Sequence, residues 1–256
     1  MALIVICCYD TEENGRYEYT DATLRSLQRT VDWSKHRLIV VDNGSDESCR
    51  GIIFRGVTAI GAKLITLPEN VGTSKGLNEG MRLRKEHEHV LKADNDVEWL
   101  YPNWLDELEE AIERDPTIGI LGLKRKDLIQ NPYHESEQYR SEYRMLPHEP
   151  GQRWITVEAT ADIMGTCTLF NYRLIDKIGG SAQPKLYGLE DCLYCLRSHL
   201  AGFYNAFLPH IEINHLDRGD NPYVQVKQRQ AGEAWPIYHE WHKGYIEGTR
   251  PLYEEI

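Results

Sequence analysis

The sequence predicts an α/β fold built on a mainly parallel sheet. Short apolar runs of strand length alternate along the chain with amphipathic stretches of helical period, a pattern typical of βαβ units. Acidic or polar residues follow several of these runs directly. In parallel sheets, ligands bind beyond the carboxyl ends of the strands. We therefore expect a ligand site at that edge of the sheet.

The first half of the chain contains most of the predicted elements. Residues 2–7 are apolar without a basic leader segment, which predicts a buried first strand and not a signal peptide. Thr20 or Asp21 can cap a helix that continues to about Thr30. A helix that opens near Pro102 ends at Asp115-Pro116. The other elements predicted here are strands at 37–41, 62–67, 90–93 and 117–123 and a helix at 73–85.

The second half of the chain has a less regular pattern. Residues 124–153 offer few core positions and predict a variable surface loop or small insertion. Helices are predicted at 172–177, closed by Gly179-Gly180, and at 189–201. Strands are predicted at 154–159, 164–170, 203–208 and 211–214. We predict one domain over residues 1–216 and a C-terminal extension over residues 217–256.

Composition limits the classes of partner. The formal net charge of -11 disfavours nucleic acid, which requires a basic face. No apolar run approaches the roughly 20 residues of a membrane span, so we expect no stable membrane span. The six cysteines, including Cys192-x-x-Cys195, lie mostly in apolar segments. This placement is typical of reduced core cysteines and predicts a cytoplasmic protein.

Asp94-Asn95-Asp96 is the stretch around which the candidate site is organised. It directly follows the apolar run 90–93. Two carboxylates one residue apart can share a side once the chain leaves the strand. Hard divalent cations bind carboxylates together with substrate phosphates. Asp and Asn are also common turn residues, so a solvated turn is the alternative interpretation.

Seven short segments occur in order along residues 2–216. They are Ile6-Cys7-Cys8-Tyr9-Asp10, Val40-Val41-Asp42-Asn43-Gly44-Ser45, Asn70-Val71-Gly72-Thr73-Ser74-Lys75-Gly76-Leu77-Asn78-Glu79-Gly80, Asp94-Asn95-Asp96, Gly165-Thr166-Cys167-Thr168-Leu169-Phe170 with Ile178-Gly179-Gly180, Tyr187-Gly188-Leu189-Glu190-Asp191, and His215. The series resembles the family 2 glycosyltransferases. Asp10, where the family usually has Asn, and the inserted Leu189 depart from its pattern. Residues 124–153 and the C-terminal extension match no segment of the family.

The resemblance implies a GT-A fold, which has a Rossmann-like, mainly parallel central sheet, flanking helices and a small second sheet. It also implies transfer of a sugar from a nucleotide-sugar donor, a UDP- or GDP-sugar, to an acceptor. Mn²⁺ or Mg²⁺ can stabilise the negative charge of the diphosphate leaving group. The metal ligands implied are Asp96, His215 and Asp94, with Asp94 holding the ribose or the water shell of the metal. A lone His at a strand end is otherwise usually structural.

The resemblance further implies donor contacts at the strand ends. The Asp42 carboxylate can accept hydrogen bonds from a base or a ribose, or it can form the turn before Asn43-Gly44. Lys75 lies near a helix start, where an anion is favoured, or it is a solvated helix residue. The residues expected to contact the nucleotide sugar are Cys8, Tyr9, Asp10, Asp42, Asn70, Gly72, Lys75, Asn78, Asp94 and Asn95.

The acceptor side is expected around Glu190-Asp191, which opens a predicted helix. Acidic residues are common in a first helical turn for electrostatic reasons alone. The resemblance implies that Asp191 is the base that deprotonates the acceptor. Gly165, Thr166 and Glu190 are expected beside it. The aromatic-rich C-terminal extension either helps to form this side or packs outside the domain.

Two other functions suit an α/β chain of this kind. A sugar nucleotidyltransferase needs a Gly-rich phosphate loop with Arg or Lys directly after the first strand. The stretch Cys8-Tyr9-Asp10-Thr11-Glu12-Glu13 lacks such a loop. A non-catalytic carbohydrate-binding or protein-binding module would not need Asp94, Asp96, Asp191 and His215 together. The resemblance therefore favours inverting, metal-dependent glycosyl transfer, with the nucleotidyltransferase and the binding module as the alternatives.

Overall fold

The computed structural model describes residues 1–129, 142–219 and 223–256. The strands are β1 (Ala2–Cys8), β2 (Arg37–Asn43), β3 (Lys63–Leu67), β4 (His89–Ala93), β5 (Val97–Trp99), β6 (Ile118–Arg125), β7 (Glu142–Met145), β8 (Thr156–Thr160), β9 (Cys167–Phe170) and β10 (Tyr204–His215). The helices are α1 (Tyr17–Thr30), α2 (Glu47–Ile60), α3 (Thr73–Met81), α4 (Trp104–Arg114), α5 (Lys126–Ile129), α6 (Tyr172–Ile178), α7 (Glu190–Leu200) and α8 (Tyr223–Glu247).

The described strands form one sheet in the order β3-β2-β1-β4-β9-β6-β10-β8-β7, and β5 pairs with β10. The pairs β3–β2, β2–β1, β1–β4 and β6–β10 are parallel, whereas β9 runs antiparallel between β4 and β6. The predicted α/β class with a mainly parallel sheet is confirmed. The small second sheet is not separate here, because β7 and β8 extend the central sheet through β10.

Apolar layers cover both faces of the sheet. Ile4 packs in one core with Leu24 of α1, and its neighbour Val5 packs in the other core with Leu77 of α3. Because successive strand residues point to opposite faces, a strand buried on both sides is apolar throughout. The parallel register of β1, β2 and β4 brings their carboxyl ends to one edge of the sheet. Residues that follow these strands therefore meet at that edge.

Helix α2 is absent from the sequence prediction. Its two glycines, Gly51 and Gly56, lower the intrinsic helix propensity of the segment. Gly56 is required by packing, because a Cβ atom there would lie 2.5 Å from Cδ1 of Leu24 in α1. The close approach of α1 and α2 thus requires glycine at position 56, and this glycine weakens the sequence signal for a helix.

Several predicted boundaries are corrected. Helix α1 begins at Tyr17, so Thr20 is not its cap. Helix α3 ends at Met81 and not near Lys85, because the Lys85 N–H donates to the Glu88 carboxylate (2.8 Å) in the turn that follows. The two strands predicted at 203–208 and 211–214 form the single strand β10, with a register shift between Leu208 and Glu212.

The segments without a family match contribute a strand and a helix to the fold. Strand β7, from the predicted loop 124–153, pairs with β8, whereas residues 130–141 lie outside the described residues. The C-terminal extension contains the long helix α8, which packs against α7. No helix within the described part of the chain has the length and apolarity needed to cross a membrane.

Candidate active site

A cavity of about 310 Å³ opens where the carboxyl ends of β1, β2 and β4 meet the start of α7. We call it the donor cavity. Its lining combines strand ends, the start of α7, the end of β10 and the first turns of α8. The sequence-predicted residues that line it are Tyr9, Asn70, Asp94, Asn95, Asp96, Gly165, Thr166, Glu190, Asp191 and His215.

Cys8 is not among the lining residues. It is fully buried in the core that faces α1, and its neighbour Cys7 lines the donor cavity instead. The alternation of side chains along β1 decides which of the two faces the cavity. Lys75 is exposed on α3 and does not line the cavity either.

Four other predicted residues hold the loops next to the donor cavity without lining it. Asp42 accepts hydrogen bonds from the Ser45 N–H and from Arg50 Nε (2.9 and 3.0 Å). Asn78 exchanges two hydrogen bonds with the backbone of Ser181 (2.9 Å each). Gly72, with φ +92°, opens α3 in a conformation that suits glycine. These residues fix loops and do not face the cavity.

Asp10 is the fourth, and it holds the central residue of Asp94-Asn95-Asp96. The Asn95 amide donates to Asp10 Oδ1 (2.8 Å) and to Thr20 Oγ1 (2.7 Å). Burial raises the pKa of Asp10 to about 6. Asn95 is thereby fixed between β1 and α1, and the two aspartates on either side of it point in different directions.

Asp96 belongs to one group of charged residues, the Arg16 cluster, formed by Arg16, Asp96, His215 and Asp217. Arg16 donates to Asp96 Oδ2 (2.6 Å) and to Asp217 Oδ2 (2.7 Å), and His215 Nε2 lies 3.3 Å from Asp96 Oδ2. Lys227 of α8 also donates to Asp217 (2.8 Å). Burial alone would raise the pKa of Asp96, but the hydrogen bond with His215 and the charge of Arg16 lower it.

Asp94 belongs to a second group, the Lys92 cluster, formed by Lys92, Asp94, Glu190 and Asp191. The buried Lys92 ammonium lies 3.1 Å from Asp94, 3.3 Å from Asp191 and 3.8 Å from Glu190. It also donates to the Gly165 carbonyl (2.6 Å). Burial opposes the charge on Lys92, but the carboxylates raise its pKa well above the ordinary value. Burial and the Asp191 charge raise the pKa of Glu190 to about 7.

Asp191 is held at the cavity wall by a close approach of the backbone. The Gly165 N–H donates to Asp191 Oδ2 (2.9 Å). A Cβ atom on residue 165 would lie 1.9 Å from Asp191 Oδ1, so glycine is required for this contact. Glu190 is held differently, because Gln183 Nε2 donates to its carboxylate (3.1 Å) while Gln183 Oε1 accepts from the Ser74 N–H of α3 (3.1 Å).

Helix α8 contributes to the donor cavity through Tyr223, Lys227 and Gln230. Trp235, farther along the same helix, is exposed. The start of the C-terminal extension therefore faces the same cavity as His215, whereas part of its aromatic content faces solvent.

The chemistry of Asp96 and His215 fits a divalent cation. Among the described residues, Asp96 Oδ1 is buried without a hydrogen-bond partner, and His215 Nε2 lies 3.3 Å from Asp96 Oδ2. A carboxylate oxygen and an imidazole nitrogen are ligands that Mn²⁺ accepts. Asp94 is not assembled with them, because it faces Lys92 while Asp96 faces Arg16. A bound cation would compete with Arg16 for Asp96.

A different group, His36, Asp106 and Glu109, has ligand atoms within 4.8 Å of one another. It lies at the opposite edge of the sheet, beside the start of β1. The Ala2 N–H donates to His36 Nδ1 (3.3 Å), so the neutral ring carries its hydrogen on Nε2, which faces Asp106. The lone pair that a metal would need at Nε2 is therefore not available.

Arg16 and Lys92 are two residues of the donor cavity that were not predicted from the sequence. Lys92 carries a recognisable signal, since it is a charged residue inside the apolar run of β4. Arg16 lies in a polar loop before α1, where an arginine is ordinary. No local pattern distinguishes it from a solvated residue.

Known proteins resemble the chain in sequence and fold. The uncharacterized protein y4gI of Sinorhizobium fredii is 22% identical over 221 residues, which cover 82% of this chain and 24% of y4gI. The mannosyltransferase PcManGT of Pyrobaculum calidifontis, solved with GDP-Man and Mn²⁺, superposes with a TM-score of 0.64 at 16% identity, covering 95% of this chain and 69% of PcManGT. Residues 1–349 of Staphylococcus aureus TarS, solved with UDP-GlcNAc, superpose with a TM-score of 0.57 at 16% identity, covering 85% and 59%.

These structural likenesses identify the fold as GT-A. The chain spans about a quarter of the length of the curated relative, y4gI. The family model for glycosyl transferase family 2 matches residues 3–179, more than half of the chain. The chain therefore belongs to glycosyl transferase family 2.

Proposed function

We propose that the chain is an inverting, metal-dependent glycosyltransferase. It moves a hexosyl or pentosyl group from a UDP- or GDP-sugar to an acceptor hydroxyl. The observation that carries the proposal is the donor cavity, in which Asp96 and His215 share one space with the Asp191 carboxylate. The complexes of PcManGT with GDP-Man and Mn²⁺ and of TarS with UDP-GlcNAc support this class of donor and cofactor.

The donor diphosphate binds beside the Arg16 cluster. Asp96 and His215 would hold Mn²⁺ or Mg²⁺, whereas Asp94, which faces Lys92, would contact the ribose or the water shell of the metal. The bound cation supplies Lewis-acid stabilisation of the charge on the leaving diphosphate. Arg16 and Lys227 line the same wall and add positive charge there. Guanidinium groups bind phosphate oxygens with paired, charge-assisted hydrogen bonds.

Asp191 accepts the proton of the attacking hydroxyl. One of its oxygens is held by the Gly165 N–H and the other faces Lys92, so the carboxylate has a defined direction. Glu190 is the rival base, because its pKa of about 7 suits proton transfer near neutral pH. The Asp191 side chain is 31% exposed and that of Glu190 only 10%, so Asp191 is the more accessible to a substrate.

The C-terminal extension forms part of the site and not a separate unit. Lys227 binds Asp217, which in turn binds Arg16, so the start of α8 is connected to the β1–α1 loop. We place the catalytic domain at residues 1–216, with α8 as an additional wall. The described cysteines are all free, a state that suits a cytoplasmic location.

The proposal is tested by a thermal-shift screen of UDP, GDP and their sugars with and without Mn²⁺. A ligand that binds the folded state raises the melting temperature by mass action. We expect a nucleotide-specific shift that requires Mn²⁺, and donor hydrolysis that EDTA abolishes. The thermal shift could instead be the same with and without Mn²⁺, and the same in Asp96→Ala as in the unchanged chain. That result would contradict the assignment of Asp96 as a metal ligand.

A further inference from the structure

A second cavity of about 140 Å³ adjoins the donor cavity. The two cavities share Met164 and Asp191. The remaining wall includes Lys124, Asp162 and Phe207. We propose that this second cavity is the acceptor subsite, with Asp162 as its recognition residue, and that it takes a neutral or amine-bearing sugar in preference to a phosphate-bearing one. The inference rests on the proposed function, since it needs Asp191 as the base between the two cavities.

Charge is the first argument for this class of acceptor. Glu158, Asp162 and Asp191 place three carboxylates in the wall of the second cavity. Its one lysine, Lys124, is paired with Glu158, so the charges of Asp162 and Asp191 leave this wall with an excess of negative charge. Like charges brought together at an interface disfavour binding. A phosphate-bearing acceptor would therefore be repelled, whereas hydroxyl and ammonium groups can donate hydrogen bonds to the carboxylates.

Asp162 is the second argument. It lies in the loop between β8 and Gly165, partly buried at the wall of the second cavity. Within the described ranges, no hydrogen-bond donor or ion-pair partner contacts its carboxylate. Burial raises its pKa, an effect that His199 and His242 partly offset. A partly buried carboxylate without a protein partner is suited to accept hydrogen bonds from a ligand.

The remaining wall suits a sugar ring. Phe207 and Ile163 provide apolar surface, and Thr160 provides a hydroxyl. Binding sites for small molecules typically combine an apolar lining with a few convergent polar groups. Because Asp191 borders both cavities, its carboxylate can contact a hydroxyl bound in the second cavity.

The test measures transfer from the donor that the thermal-shift screen identifies to three probes: methyl glucoside, glucosamine and glucose 6-phosphate. We expect transfer to the first two, with kcat/KM at least about tenfold lower for the phosphate probe. Asp162→Asn should raise KM for the accepted probes by about tenfold, since a hydrogen bond to a charged carboxylate is replaced by a weaker one to a neutral amide oxygen. Asp162→Lys should reduce the discrimination against glucose 6-phosphate. Asp32→Asn, an exposed carboxylate outside both cavities, is the matched control.

Two results would overturn the inference. One is transfer to glucose 6-phosphate that is as efficient as transfer to methyl glucoside, or the absence of transfer to both methyl glucoside and glucosamine. The other is an unchanged KM in both Asp162→Asn and Asp162→Ala. The nucleotide-induced thermal shift verifies that each variant is folded with an intact donor cavity. Failure of donor hydrolysis in the unchanged chain would instead contradict the proposed function, so the two failures are distinguishable.

Discussion

The Arg16 cluster and the Lys92 cluster stand in the same donor cavity but balance their charges differently. In the Arg16 cluster, the Arg16 guanidinium and the nearby Lys227 ammonium face two carboxylates, Asp96 and Asp217. In the Lys92 cluster, one ammonium faces three carboxylates. The first cluster is close to neutral, and the second has an excess of negative charge.

This difference gives the two aspartates of Asp94-Asn95-Asp96 opposite properties. Hydrogen bonds and cations lower the pKa of Asp96, against the effect of burial. Burial and neighbouring carboxylates raise the pKa of Asp94. The charge of Lys92 offsets this rise only in part. Asp96 therefore keeps the charge that a metal ligand needs, while Asp94 takes up a proton more readily. One short motif thus contributes to two electrostatic environments.

The largest expected effect is that of Lys92→Met, which would leave three carboxylates without their cation. Removing one partner of a buried ion pair typically costs about 3–5 kcal/mol. We expect the free energy of unfolding to fall on that scale, with loss of transfer. Urea denaturation at pH 7 measures it, and Lys63→Met, at an exposed position of β3, is the control. If Lys92→Met lost no more free energy of unfolding than Lys63→Met, the three carboxylates would not need Lys92 for their stability in the folded state.

Asp191→Asn should lower turnover by about 10²–10⁴-fold, because general-base catalysis contributes on this scale. Nucleotide affinity should change little, since Asp191 is not a member of the Arg16 cluster. Steady-state kinetics and calorimetry with the cognate nucleotide measure the two quantities. Glu190→Gln is the matched comparison and should retain more activity. If Glu190→Gln is the more damaging change, the rival carboxylate is the base.

Arg16→Met should be less destabilising than Lys92→Met. Asp96 would keep His215 and Asp217 would keep Lys227, so neither carboxylate is left unpaired. We also expect tighter Mn²⁺ binding without nucleotide, because the competing cation at Asp96 is removed. Mn²⁺ titration followed by electron paramagnetic resonance measures this, with Arg25→Met on the exposed face of α1 as the control. Weaker Mn²⁺ binding in Arg16→Met would show that Arg16 supports the metal site instead.

The smallest effect is on the pH dependence of stability. The pKa of Glu190 is raised to about 7, so the folded state binds this proton more tightly than the unfolded state. The contribution of Glu190 to stability therefore falls as pH rises from about 4.5 to 7. In urea denaturation across this pH range, the free energy of unfolding should decline less steeply for Glu190→Gln than for the unchanged chain.

The Arg16 cluster should show the opposite dependence at lower pH. The pKa of Asp217 is lowered to about 2, mainly by Lys227 against the effect of burial, and that of Asp96 is lowered as well. Their stabilising contribution is present above about pH 4 and is lost as pH falls through the folded pKa values. Identical pH profiles for Glu190→Gln and Asp217→Asn would contradict the proposed difference between the clusters.

Much of the fold could be predicted because its signals are local. Apolar runs of strand length, followed by Asp, Asn or Gly, identify buried strands and the edge at which they end. The ordered segments from residue 6 to His215 predicted the family and the GT-A fold. Helix α2 was missed because Gly56, which packing against Leu24 requires, also weakens the local helix signal.

By itself the sequence determined the class of fold, the family and ten of the residues that line the donor cavity. Tertiary structure alone decided that Cys7 and not Cys8 faces that cavity, and that Asp94 and Asp96 meet different cations. Arg16 lies 80 positions from Asp96, and Lys92 lies 99 positions from Asp191. Such pairs form only when strand register and helix packing bring distant segments together, so local pattern cannot identify them.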